Sequence, residues 1–118
     1  MLDHVAIPVH DVEASRRFYD PLFEGLGAKV MMEWPGFALF GTDEGMVALR
    51  QSDEVTPIHV AFRTNRAGVD SFHATALAAG ASDNGAPGIR DDMHENYYAA
   101  FVIDPDGHNI EAVSHQPE

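Results

Sequence analysis

The sequence predicts an α+β fold built from two βαβββ modules, one over about residues 1–55 and the other over about 56–118, within a single domain. Three observations carry that prediction. The tripeptide His-Val-Ala occurs at His4–Ala6 and again at His59–Ala61, each time inside an apolar run. Each copy is followed by a capping residue and an amphipathic stretch, and each stretch by strand-like runs separated by turn signals.

Taken in order, Leu2–Pro8 reads as a short buried strand, and Asp11 is an N-cap for "VEASRRFYDPLFEGLG", where Val12, Phe18, Leu22 and Leu26 recur near helical spacing. Pro21 displaces the carbonyl four residues back, so this helix is expected to kink or end near Tyr19, with a short turn running on to Gly27. The runs "AKVMMEW", "PGFALFGT" and "GMVALRQ" are three strands divided by Pro-Gly and Asp-Glu-Gly turns. The second half repeats the order. "PIHVAFRT" is a strand, and Asn65 caps "RAGVDSFHATALAAG", which carries Val69, Phe72, Ala76 and Leu77 on one face. The Gly- and Asp-rich segment 81–95 shows no clear strand pattern. After it "NYYAAFVI" and "HNIEAVS" flank "DPDG", with Pro105 and Gly107 where a tight hairpin turn prefers them.

The chain has 118 residues and 45% hydrophobic content, enough for one core without disulfides, and it has no cysteine. That usage fits a cytoplasmic protein, and neither a signal peptide nor an apolar run of membrane-spanning length is visible. The net charge of −12 and the scattered Lys and Arg exclude nucleic acid as the expected partner. So acidic a surface is read first as a solubilising one.

The words "HVAIPVHDVEASRRFYDPLFEGLG", "HVAFRTNRAGVDSFHATALAAGA" and "AAFVIDPDGHNIEAV" resemble the vicinal oxygen chelate superfamily, the glyoxalase, bleomycin-resistance and extradiol-dioxygenase group, over essentially the whole chain. The resemblance implies curled mixed sheets forming a cupped cavity, a homodimer, and a small-molecule substrate. Alternation along the strands puts His4 with Leu2 and Ala6, His59 with Ala61 and Arg63, and Glu111 with Asn109 and Val113, away from the helix-covered side. Two imidazoles and a carboxylate on converging strands make a three-ligand set with open coordination positions, suited to Fe, Mn, Ni, Co or Zn. The resemblance assigns divalent metal binding to the positions of His4, His59 and Glu111. A strand histidine alone is more often a hydrogen-bonded core residue, so the matched positions carry the assignment together. His10, His73, His94, His108 and His115 are read as surface or loop residues, with His94 near the cavity mouth.

Two departures from the better-known relatives narrow the chemistry. Ala48 stands where the resemblance implies the glutamate ligand and base of glyoxalase I, and Phe101 stands where dioxygenases and fosfomycin-modifying enzymes carry a tyrosine. Tyr97, four residues earlier, is the candidate substitute and is taken as catalytic together with Arg63; Tyr98 faces the helix. Arg50, Trp34, Phe37 and Phe101 are expected to contact substrate, Arg50 through a bidentate fork on an oxyanion and the aromatics as cavity wall beside Phe40. The expected function is a metal-dependent, glyoxalase-like lyase or isomerase acting on a small oxygen-chelating substrate. An extradiol-type dioxygenase and a non-catalytic, drug-sequestering resistance protein are the alternatives.

Overall fold

The computed structural model describes residues 1–117 and divides into two compact units, Met1–Thr56 and Pro57–Glu118. The first contains β1(His4–Val9), α1(Val12–Gly25), β2(Lys29–Trp34), β3(Phe37–Thr42) and β4(Gly45–Gln51). The second contains β5(His59–Arg63), α2(Arg66–Ala78), β6(Ser82–Ile89), β7(Tyr98–Ile103) and β8(Asn109–Ser114). Each unit is thus one βαβββ module with a mixed four-stranded sheet, in the orders β1-β4-β3-β2 and β5-β8-β7-β6. The strand before each helix pairs parallel with the last strand of its own unit, and the other pairings are antiparallel.

In the first unit Asp11 caps α1 by accepting from the Ala14 N–H at 3.1 Å. The helix then runs through Pro21 without ending near Tyr19, contrary to the sequence expectation. A mid-helix proline costs about 3 kcal/mol. The residues just beyond it, Leu22 and Phe23, are buried, and their burial offsets that cost at about 1.5–3 kcal/mol per large apolar side chain. Pro21 itself faces solvent, where the lost backbone bond can be replaced by water. The buried stripe is Val12, Ser15, Phe18, Tyr19, Leu22 and Phe23, and Phe23 meets Phe40 of β3 at 4.7 Å between ring centroids. Val5, Ile7 and Val9 alternate toward this side, which leaves His4, Ala6 and Pro8 on the open face of the sheet.

In the second unit Asn65 caps α2 through the Gly68 N–H at 2.8 Å. Val69, Phe72 and Ala76 are buried, while Leu77, expected on the same stripe, is 39% exposed at its edge. Tyr98 does face the helix, donating its hydroxyl to Asp70. The segment that showed no strand pattern forms β6. It is irregular, with register shifts at Asp83/Gly85 and Gly85/Gly88. The "DPDG" turn closes the β7–β8 hairpin through Gly107 N–H to the Asp104 carbonyl, with Gly107 at φ +94.

His108, expected at the surface, is fully buried. Its Nδ1 accepts the Ile58 N–H at 3.0 Å, and its backbone N–H donates to the buried Asp104 carboxylate at 2.8 Å. It therefore ties the start of β5 to the hairpin as a structural residue.

Candidate functional site

The register repeats between the modules. His4 and His59 begin β1 and β5; two residues on, Ala6 pairs with Ala48 and Ala61 pairs with Glu111. Across the next strand Leu39 faces Ala48, and Phe101 faces Glu111. Ala48 and Glu111 are therefore equivalent positions of two copies of one unit, and the carboxylate is present in the second copy alone.

Glu111 is buried, its side chain 2% exposed, within β8. One carboxylate oxygen lies 2.9 Å from Nε2 of His59, whose side chain is 52% exposed, and the other accepts the Tyr97 hydroxyl at 2.5 Å. Tyr97 stands one residue before β7, turned in by Asn96 at φ +66. Burial, and then the hydrogen bond and charge of Glu111, push its phenol up to about 12, so at neutral pH it is a donor. No Lys or Arg pairs with Glu111 among the described residues. A carboxylate this buried, with an imidazole and a phenol but no Lys or Arg as partners, is a position that favours a bound cation. The nitrogen and oxygen donors side by side suit a divalent ion, which can take the place of the shared proton.

His4 lies in the first unit, exposed, with Nδ1 2.7 Å from the Asp3 carboxylate. Donation from Nδ1 to Asp3 leaves the Nε2 lone pair free, the tautomer a metal-ligating histidine needs. Within each unit, among the described residues, no three His, Cys, Asp or Glu side chains gather as a metal cluster. On the open face of the first unit Trp34 and Phe37 stack at 4.2 Å and 11°, and Arg50 sits opposite Phe37 on β4. Arg63, exposed, ends β5 on the His59 face.

Three residues that the sequence reading left out of the site adjoin it in the second unit. His94 and His115 lie with ring nitrogens 2.9 Å apart, and both meet the Tyr97 ring edge-on, at 5.2 and 5.3 Å. The Arg90 guanidinium carbon lies 5.6 Å from the centre of the Phe101 ring, which is 6.3 Å from the His59 ring. A tyrosine four residues before the expected position was a usable signal for this cluster, and the loop position of His94 pointed to the cavity mouth; Arg90 and His115 carried no signal beyond their residue types.

The family model for the glyoxalase/bleomycin resistance protein/dioxygenase superfamily matches residues 1–112. A glyoxalase/bleomycin resistance protein from Albidiferax ferrireducens T118 is similar in structure, with a TM-score of 0.86, 27% identity, and 99% of both chains covered. Lactoylglutathione lyase from Agrobacterium tumefaciens (TM-score 0.74, 19% identity, 97% of this chain and 92% of that one) shares the fold. So does the fosfomycin resistance protein FosX from Mesorhizobium loti (TM-score 0.72, 21% identity, 97% and 91% covered). No curated protein matches the sequence. With a matching family model over nearly its whole length and the two-module fold in place, the chain belongs to the glyoxalase/bleomycin resistance protein/dioxygenase superfamily.

Proposed function

We propose that this protein is a metal-dependent, glyoxalase-like lyase or isomerase, with His4, His59 and Glu111 as ligands of a divalent Fe, Mn, Ni, Co or Zn ion. The observation that carries the reading is the buried Glu111 carboxylate, which among the described residues has an imidazole and a phenol but no Lys or Arg as partners. The bound ion would act as a Lewis acid on two oxygens of a small substrate. Tyr97, protonated at neutral pH, gives its one hydroxyl proton to Glu111 in the free protein and would turn it to a substrate oxygen once that carboxylate ligates the ion. Arg63 steadies developing negative charge, Arg50 takes an oxyanion of the substrate, and Trp34, Phe37 and Phe101 wall its apolar part and exclude water. Ala48 at the position equivalent to Glu111 removes the first-module carboxylate, so turnover of the methylglyoxal–glutathione adduct is expected to be weak.

The working form is proposed to be a homodimer. Every residue of the edge strand β2 is exposed in the single chain, Val30, Met31, Met32 and Trp34 among them, and an apolar edge of this kind calls for cover. Mixing His4→Ala chains with His59→Ala chains tests how the ligands are shared. Sites that take His4 from one subunit and His59 from the other regain one complete centre per mixed dimer, whereas sites within one chain regain none. Sedimentation as a monomer at micromolar concentration with full metal occupancy would overturn the dimer.

A further inference from the structure

The irregular strand β6 poses a separate question: why does it carry Gly85 and Gly88 where side chains would stiffen it? A Cβ at Gly85 would lie 3.0 Å from the Phe101 ring and 3.2 Å from an Arg90 guanidinium nitrogen. One at Gly88 would lie 3.3 Å from the other guanidinium nitrogen. The two glycines therefore clear a bed along which the side chain of Arg90, the residue after β6, runs back over that strand. Its guanidinium faces the Phe101 ring, a cation–π contact, and one terminal nitrogen donates to the Ala86 carbonyl at 2.7 Å.

The partner that Arg90 lacks is the more informative fact. The chain has 19 Asp and Glu against 7 Lys and Arg, and Asp91 and Asp92 follow Arg90 directly. Yet among the described residues no carboxylate pairs with this guanidinium. It is anchored by one backbone contact, and the rest of its planar fork is left for an external oxyanion. Phe101 links it to the centre, since that ring faces Glu111 across β7 and β8 and lies beside His59.

We propose that Arg90 is an oxyanion subsite of the second module, and that the substrate carries a carboxylate or phosphonate which Arg90 binds while its carbon skeleton lies against Phe101. The orientation of that substrate toward His59 and Glu111 rests on the metal reading above; the oxyanion contact itself does not. The assignment puts the charge-selecting group at the residue that follows β6 and makes neutral analogues poor ligands.

The test uses the full chain, metal-free and metal-loaded, with benzoate, phenylphosphonate and benzamide as probes. The side-chain Nε–H resonance of Arg90 is followed by NMR. A saturable shift with either oxyanion and none with benzamide is expected, and the tighter of the two oxyanions identifies the substrate class. Arg90→Gln should weaken oxyanion binding about tenfold, with Arg90→Lys falling between, because lysine keeps the charge and loses the fork. An Arg90 resonance unmoved by millimolar oxyanion overturns the proposal. So does oxyanion affinity that survives Arg90→Gln and disappears in Arg63→Gln. Failure of the metal reading is separable: a chain that binds no metal but keeps the Arg90 response retains the oxyanion subsite, whereas a metal-loaded chain with a silent Arg90 loses the subsite alone.

Discussion

Replacing Tyr97 with phenylalanine removes one hydroxyl and leaves the ring edge-on to His94 and His115, which makes it a narrow probe of the Glu111 environment. The hydroxyl donates at 2.5 Å to a carboxylate whose side chain is 2% exposed, so water has little access to replace it. A hydrogen bond to a charged group contributes about 1.5–3 kcal/mol, and the metal-free variant should lose about that much in urea unfolding. The loosened carboxylate should also bind metal about 10–100-fold more weakly, the usual effect of deleting a group that orients a ligand. A double-mutant cycle with Glu111→Gln apportions the loss, because the phenol should matter much less beside a neutral amide. Unfolding within about 0.5 kcal/mol of the parent, the range of an indifferent surface change, together with unchanged metal affinity, would refute the reasoning.

Other expectations concern the scaffold and its pH response. His108→Ala should cost about 2–4 kcal/mol by leaving the Ile58 N–H unpaired and a cavity behind it, with metal stoichiometry unchanged; a loss of metal binding in a folded variant would show that His108 is more than structural. Pro21→Ala should stabilise the chain by about 1–3 kcal/mol if α1 is continuous, and a neutral or destabilising result would argue that the helix yields there. Tyr97 has a folded-state pKa raised from 10.0 to about 12, so the folded chain holds this proton more tightly than the unfolded one. Its contribution to stability is intact below pH 10 and is lost as the pH rises toward 12. The parent's stability advantage over Tyr97→Phe should therefore shrink across that window in metal-free protein, and an advantage that grows there would contradict the assignment.

Period-two alternation and paired motifs made much of this molecule legible in the sequence. The faces of β1 and β5 follow from single-residue alternation, so the open-face positions of His4 and His59 could be read directly. Both N-caps were equally readable, since Asp11 and Asn65 each stand three residues before the N–H they accept. What escaped depends on contacts far apart in the chain. The burial of His108 arises from a bond to Ile58, 50 residues away, while its neighbours read as a polar turn. Strand β6 has almost no β-branched residues and exists through its pairing with β7, so propensity could not find it. The continuation of α1 through Pro21 is a tertiary effect of the same kind, decided by Leu22 and Phe23. The reach of Tyr97 to Glu111 lay between these cases. Its spacing suggested the right face, but it stands outside β7, and the turn at Asn96 brings it in.

A divalent metal held by His4, His59 and Glu111 is tested most directly by metal stoichiometry in the parent chain. The parent chain, dialysed against each candidate ion and then against metal-free buffer, should retain one equivalent of at least one of them per chain. His59→Ala and Glu111→Gln should lose it while remaining folded, and His4→Ala should weaken it sharply, because two ligands do not fix the ion's geometry. A parent that retains no ion, or a His59→Ala variant that binds as well as the parent, would contradict the account.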